Sequence, residues 1–554
     1  MNVLTSEHIS GKVLDHLGLV AATIKKLGLI EKIDERLPIS REKGAKVTIG
    51  ERVAAMILNG LGFMDDRLYL FPMFLANKPI DRLLGDHLCA EDFNDDALGR
   101  GLDALYDYGV TKLFSEVAFE IGIEQKLLGR SAHGDTSSLS LYGAYALDES
   151  TDEGAPVPRH GYSKDHRPDL KQMVIHLATT GASGFPLWME AHPGNASDKK
   201  VLHEAAERMQ AFCAGLQAAP DLMYVGDSAL YENCVKKAQG MLWLSRVPER
   251  IKAAKVLLER ANEALRWQEL DDGYRISALE STYGGVRQRW LVVFSAQAYA
   301  REIKTLERAV TKEFSEQTKA LGHLSHQLFR CQADAQKAAA QLSKGWKYHT
   351  LKLAIVPYYQ HAGKGRPKAG VEPQLMGFRI QGQLIPAEDT LCRVRAQKGR
   401  FILATNQLDQ AVLTDEGMLL EYKAQSKTEG GFKFIKDDTF EVDSIFLKKP
   451  ERIQALMMVM TLCLMVYSVA QYQLRQALQA ADETLPSQSG KPTPKPTLKW
   501  IYRLFHGVQV VTLSLGEITQ TLVINVNALL QRIVGYFGET VQQIYGMKPS
   551  CAQA

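Results

Sequence analysis

Asp135 lies in the segment Ala132-His133-Gly134-Asp135-Thr136-Ser137, at the start of an extended stretch, and Asp227 closes a strand that is otherwise Leu222, Met223, Tyr224 and Val225. Acidic residues are depleted in strands and costly to bury without a partner. Two of them at strand ends point to a shared ligand such as a metal ion. Either one alone is equally well read as a cap for the turn that follows, and Asp227 is well placed to begin the helix expected over 231–239. A third acid weighs on the choice. Tyr422, Gln425, Glu429 and Lys436 follow a short strand at Phe401 to Thr405, and their steps are all close to whole helical turns. On a continuous helix Glu429 would share one face with a phenol, an amide and an ammonium. Gly430-Gly431 is where that helix can break, leaving Lys436 to a loop.

The elements that must hold these residues follow from periodicity. After Arg130 the pattern turns from helical to extended, with strands at Leu139 to Ala146, Gln172 to Thr180 and Phe185 to Glu190, the last two joined by the turn Gly181-Ala182-Ser183-Gly184. A helix over 198–216, the strand ending at Asp227, a further helix and the strand Met241 to Val247 complete the series. Strand hairpin, helix, strand, helix, strand is the order of an RNase H-like half-domain, an α/β core with a mixed sheet flanked by helices. Fold class by itself does not give function. Ahead of it, Val20-Ile24-Leu27-Ile30-Ile33 carries helical spacing and Asn94 caps the apolar set Leu98, Leu102, Leu105, so 1–127 is expected to be an all-helical N-terminal domain.

The core is expected to run over 128–247 and resume over 401–480. Between them, 248–400 reads as a β-rich insertion with strands near Trp290 to Phe294, Leu351 to Val356 and Met376 to Ile380. It contains a helical hairpin in which Ile303, Leu306, Val310, Phe314, Leu321, Leu324 and Leu328 recur at helical spacing. Within it Lys364-Gly365-Arg366-Pro367-Lys368 is a basic loop, as readily a DNA-backbone contact as a solvated turn. Trp290 could stack on a displaced base, although a tryptophan in a strand is more often core. A Ser/Pro/Lys-rich linker is expected at 481–497 and a helical C-terminal element at 498–554.

The whole chain has 554 residues, too many for one core, with 45% hydrophobic and 23% charged residues, the balance of a folded soluble protein. Its 66 basic and 63 acidic residues leave a formal charge of +3, so any nucleic-acid surface must be local. The seven cysteines form no CxxC pair or zinc spacing, which fits a reducing cytosol. The polar N-terminus is unlike a signal peptide, and the apolar stretch Ala455 to Ala470 is shorter than a bilayer requires and is read as a buried helix, so no membrane is expected.

The order Tyr-two-Arg-three-Glu-six-Lys is the signature of a large group of bacterial insertion-sequence transposases. This chain resembles that group through Tyr422, Glu429 and Lys436, with Gln425 where arginine is usual. HGDTSSLSLYGAY around Asp135 and FNDDALGRGLDALYDYG in the N-terminal region look like the subgroup with a helical N-terminal domain, and the resemblance covers about residues 15 to 475. It implies a DDE-type RNase H-like core with Asp135, Asp227 and Glu429 as catalytic and metal-binding residues, and Tyr422 and Lys436 holding transposon-end phosphates. Gln425 lacks the charge and fork that arginine would bring to that task.

Three carboxylates suit two magnesium or manganese ions about 3.5–4 Å apart, the arrangement that serves phosphodiester chemistry. The implied reaction hydrolyses a phosphodiester at the transposon end and lets the freed 3′-hydroxyl attack target DNA. Implied partners are duplex DNA, as terminal inverted repeats and as target, and a second copy of the chain in a homodimer, in the bacterial cytoplasm at the nucleoid. The N-terminal domain would bind DNA. Two alternatives stay open: an RNase H-like nuclease without strand transfer, and a catalytically inactive DNA-binding derivative, toward which Gln425 points and against which the intact acids argue.

Overall fold

The computed structural model describes residues 9–39, 46–62, 70–145, 156–164, 166–216, 222–237, 240–361, 370, 372–437, 447–515 and 518–548. Two compact units emerge, Met1–Ser245 with Leu420–Ala554, and Arg246–Leu419. The first opens on strand β1 (Ile9–Val13) and helices α1 (Leu17–Lys26), α2 (Leu29–Arg36), α3 (Ile49–Gly60), α4 (Phe71–Ala76), α5 (Ile80–Leu83), α6 (Asp95–Tyr108) and α7 (Val110–Glu124). Local chemistry starts these helices. Thr48 and Glu51 form a reciprocal capping box on α3, and the Asn94 side chain accepts from the Ala97 N–H at 2.9 Å to begin α6.

The site-bearing sheet follows with β2 (Ser131–Leu141), β3 (Lys171–Thr180), β4 (Phe185–Pro193), α8 (Asp198–Ala214), β5 (Met223–Gly226), α9 (Ser228–Lys237) and β6 (Trp243–Arg246), in the order β4-β3-β2-β5-β6. β2, β3 and β4 are antiparallel neighbours, while β5 runs parallel to both β2 and β6. β2 begins eight residues before the strand expected from sequence. Ser131, His133 and Asp135 are weak strand signals, yet each is laddered to β3 or β5, His133 to both, and they are mostly buried, so tertiary context overrides propensity. α8 covers one face, where Phe212 meets Trp188 edge-on at 5.5 Å and Arg208 grips Glu190 through two hydrogen bonds.

The second unit contains α10 (Lys252–Leu258), β7 (Gln268–Glu269), β8 (Tyr274–Tyr283), β9 (Val286–Ser295), α11 (Ala296–Ser325), α12 (Gln332–Ser343), β10 (His349–Gln360), β11 (Gln374–Pro386), α13 (Glu388–Gln397) and β12 (Arg400–Thr405), and ends within α14 (Asp415–Ala424). β12, β9, β8 and β7 pair antiparallel in that order. Trp290 lies in the middle of β9, 2% exposed, with its indole N–H donating to Gln288 Oε1 at 2.9 Å. The stacking role is therefore corrected: a ring walled in on both sides has no face to offer a base. The helical pair also differs from expectation. Leu321 of α11 and Ala335 and Ala339 of α12 form a core with Ile380 and Leu384 of β11, so the helices seat on the β10–β11 hairpin rather than zip against each other.

The chain then completes the first unit with α15 (Ser426–Ile435), α16 (Pro450–Ala480), β13 (Leu485–Pro486), β14 (Pro492–Thr493), α17 (Leu498–Leu504), β15 (Gln509–Leu515), β16 (Ile518–Ile524), α18 (Ala528–Phe537) and α19 (Glu539–Ile544). α16 is apolar enough to cross a membrane, with a mean hydropathy of 2.0 over 18 residues, but 89% of that window is buried within the protein. β1 pairs with β15, and β15 with β16. This corrects two expectations, because the N-terminal region is not all-helical and the C-terminal element carries a β-hairpin of alternating, β-branched sequence. Nor is 481–497 a free linker, since Pro486 and Pro496 carbonyls accept from the Trp500 indole at 2.8 Å and from Arg475 at 3.0 Å.

Candidate active site

Parallel pairing of β2 with β5 leads toward the two aspartates. Ser131 pairs with Met223 and His133 with Val225; Asp135 stands two residues beyond that last pair on β2, and Asp227 two residues beyond it, just past the end of β5 at Gly226. Residues two apart on a strand share a face, so Asp135 belongs to the side carrying Ser131 and His133. The intervening Gly134 is required by the opposite side, where a Cβ would collide with the Tyr224 hydroxyl, itself bonded to His176 at 2.7 Å. Asp135 is half-buried and Asp227 exposed. Each also caps locally, with Thr136 N–H donating to Asp135 Oδ1 at 2.7 Å and Ala229 N–H to Asp227 Oδ1 at 2.8 Å. A local cap and a metal contact are not exclusive, because an ionised carboxylate offers about four lone-pair sites.

Glu429 arrives on α15, which is seated on that same face. The Thr428 hydroxyl donates to the His133 carbonyl at 3.0 Å and so must accept from Thr179 at 2.7 Å. Gly431 lies against Leu177, the residue paired with Asp135, and a Cβ there would come within 3.2 Å of it and 3.1 Å of Leu464. The glycine pair therefore does not break the helix, contrary to the expectation from sequence. It thins α15 where the sheet and α16 approach, and Glu429 remains exposed at the edge of that packing.

The break falls earlier, at Gln425 between α14 and α15. Gln425 is 8% exposed and its Oε1 is buried without a hydrogen-bond partner. Gln425 is thus removed from the surface-facing set as a correction: its backbone stays helical, at φ −56° and ψ −26°, and burial takes its amide away from solvent. Tyr422 on α14 and Lys436 at the end of α15 are half-buried. Lys364, Arg366 and Lys368 lie outside the described residues.

Four side chains beside the site, Ser131, His133, Lys164 and Glu421, gave no sequence signal. Ser131 Oγ donates to Glu421 at 2.5 Å and, having one proton, accepts from His133 Nε2 at 2.8 Å. Burial first, then the Lys427 ammonium, push the His133 imidazole down to about 4, so it stands neutral. The carboxylate grips the serine rather than the histidine, which is the wrong order for a nucleophilic triad. Lys164 donates to the Thr136 carbonyl at 2.7 Å and to its hydroxyl at 3.3 Å, fixing an ammonium one residue from Asp135. Only the folded chain brings Glu421 and Lys164 to this strand.

By chemistry the expected donor set, three carboxylates, fits a hard divalent cation. Among the described residues no three His, Cys, Asp or Glu side chains already form a cluster that could hold an ion. Magnesium commonly takes one or two protein carboxylates and fills its shell with water and substrate phosphate, and the pair Asp135 and Asp227 meets that smaller requirement.

The family described as a transposase DDE domain matches residues 140–466, more than half of the chain, a span that includes Asp227 and Glu429 and begins just after Asp135. A second family, described as a domain of unknown function (DUF4277), matches residues 9–119. Among solved structures, similarity extends to the piggyBac transposase synaptic complex with hairpin DNA, determined by cryo-EM. The TM-score is 0.36 and the identity 8%, over 89% of this chain and 80% of that one. No curated protein matches.

Proposed function

The chain belongs to the transposase DDE domain family, and on that premise we propose that it is a DNA transposase that cuts at the ends of a bacterial insertion sequence and joins them to target DNA. The observation that supports the reading is the parallel pairing of β2 and β5 two residues ahead of Asp135 and Asp227, with α15, which carries Glu429, bonded to β2 through Thr428. The core is read as RNase H-like, and Arg246–Leu419 as an insertion between the second aspartate and the glutamate. Asp135, Asp227 and Glu429 would hold magnesium or manganese, whose contribution is to acidify water and to stabilise charge on the phosphodiester oxygens.

The protein's own groups do the rest. Neutral His133 and the Ser131–Glu421 bond hold the start of β2 rigid, so that Asp135 is presented in one orientation. Lys164 supplies positive charge beside Asp135, and Tyr422 and Lys436 would meet backbone phosphates of the transposon end. Tyr422 on α14 and Lys436 just after α15 stand on successive helices, so those two side chains would meet different phosphates. Two ends must be processed together, so a homodimer in the cytoplasm, on duplex terminal repeats and target, is the working assembly.

The test pairs strand cleavage with end binding in magnesium for Asp135→Asn, Asp227→Asn and Glu429→Gln, with circular dichroism to verify folding. Cleavage should collapse in each while binding persists, because affinity resides mainly in phosphate contacts elsewhere. A folded variant that cleaves at the parental rate strikes its residue from the site. Cleavage without joining in the parent would reduce the protein to a nuclease.

A further inference from the structure

We infer that the outer face of α11 is a docking surface for the backbone of duplex DNA of no fixed sequence, such as target DNA. The inference rests on the transposase reading and extends it to the second unit. At 100° per residue, Arg301, Lys304, Arg308, Lys312 and Lys319 fall within an arc of about 80°. All five are exposed. The apolar positions, among them Leu306 and Leu321, lie on the far side, and Leu321 is buried in the core that α11 and α12 share with β11. The helix is thus anchored by one face and lays a line of cations along the other. Eighteen residues at 1.5 Å give that line a length of about 27 Å, or about eight base pairs at 3.4 Å each.

An ordinary solvated helix face mixes signs, with acids one turn from bases. Here Lys304, Arg308 and Lys312 succeed one another at four-residue steps, and like charges so placed repel by a few tenths of a kcal/mol per pair. Of the helix's four acids, the exposed Glu307 and Glu316 border the row of cations, while Glu302 and Glu313 are engaged elsewhere. Glu302 accepts from Gly399 N–H at 3.3 Å and lies 3.7 Å from Lys398, while Glu313 accepts from Lys347 N–H, Tyr348 N–H and His349 at 2.9, 2.8 and 3.0 Å. Only Lys312 has a carboxylate partner, Glu316 at 3.9 Å, and among the described residues Arg301, Lys304, Arg308 and Lys319 have none. A row of five cations along one helix face, four of them without a carboxylate partner among the described residues, is complementary to a polyanion that is itself a rod. Between the cations stands Ser315, a short hydroxyl side chain suited to a phosphate oxygen rather than to a base edge, while Thr305 and Thr311 donate their hydroxyls to the helix's own Arg301 and Glu307 carbonyls at 3.0 and 2.9 Å.

The experiment measures binding of a random-sequence duplex by the full chain as a function of salt, for the parent, for the fivefold variant R301Q/K304Q/R308Q/K312Q/K319Q, and for Ser315→Lys, which fills the gap in the row. Glutamine keeps helix propensity while removing charge. The slope of log affinity against log salt should become shallower in the fivefold variant by about 0.9 for each phosphate that is no longer neutralised, and Ser315→Lys should steepen it by about 0.9. Cleavage of a substrate trimmed to the terminal repeats should stay at the parental level. Parental slopes in both variants would overturn the inference, as would a preference for single-stranded over duplex nucleic acid. A parent that binds no duplex at all would overturn the transposase reading itself and this inference with it.

Discussion

β2 in the first unit and β9 in the second are both central and largely buried strands, yet they are written in different alphabets. Between Ser131 and Leu141, β2 buries Ser131, His133, Thr136, Ser137 and Ser138, while β9 fills its interior with Trp290, Leu291, Val292 and Val293. An apolar strand is held by area removed from water, about 25 cal/mol for each Å², and tolerates local change. A polar one is held only if every group finds its partner, and its hydrogen bonds reinforce one another in the low dielectric of the interior. The Ser131, His133, Thr179 and Thr428 bonds around β2 are of this second kind. The strand that presents Asp135 has therefore given up transfer energy for orientation.

Four measurements can break or sharpen that contrast. The largest effect should separate activity from stability: Asp135→Asn should cut DNA cleavage by at least about a thousandfold, equivalent to several kcal/mol of charge stabilisation, with little change in thermal midpoint. A parental cleavage rate would erase the functional half of the comparison.

Acid should next distinguish the units. His16, His133 and His176 are each pushed down by burial from 6.5 to about 4, and all three lie in the first unit. Between those values the unfolded chain binds protons that the folded one refuses, so stability is full above about 6.5, falls as pH drops toward 4 and levels off below it. Each buried histidine contributes on the order of 3 kcal/mol to that loss. Hydrogen exchange resolved along the sequence should show the first unit loosening first over this window, and His176→Gln should flatten the trend. Simultaneous loosening of both units would contradict it.

Leu384→Ala, which opens the α11–α12–β11 core, should cost the second unit about 2–3 kcal/mol and shift its unfolding transition while terminal-repeat cleavage stays within a factor of a few. The smallest effect, about 1–2 kcal/mol, belongs to Thr428→Val, which keeps the shape and leaves the His133 carbonyl unpaired. Its signature is a loss of cleavage out of proportion to the loss of stability, because α15 and Glu429 lose their register on β2. Equal losses in both would show the bond to be structural only.

Where the alphabet is apolar the sequence is readable. The β3–β4 hairpin with its Gly181-Ala182-Ser183-Gly184 turn, the helix at 198, the strand before Asp227 and the buried helix around 455–470 all emerge within a few residues of their expected places, α16 extending to Pro450–Ala480. The first half of β2 is not readable, because serine, histidine and aspartate announce a strand only through neighbours distant in sequence. Trp290 misleads for the converse reason, that its type suits a stacking role at a surface and only burial refutes it. Spacing places Tyr422, Gln425, Glu429 and Lys436 on one helix, but spacing does not report burial, and Gln425 is buried where α14 gives way to α15. Glu421 and Lys164 can be found only from the fold, since they reach β2 from 290 and 28 residues away from their partners.

The pairing of β1 with β15 carries a consequence for how the protein is made. Ile9 is matched with Leu513 and Val13 with Gln509, the Tyr545 hydroxyl donates to the Asp15 carbonyl at 2.6 Å, and His16 stacks on Tyr502 at 4.3 Å. At roughly 5–20 residues per second, the ribosome delivers β15 on the order of a minute after β1. Throughout that interval Leu14, His16 and Leu17 face water or a chaperone, however complete the β2–β3–β4 hairpins have become. A message cut short before codon 509 yields a polypeptide whose opening strand has no mate, a natural substrate for quality-control proteolysis rather than a dormant enzyme.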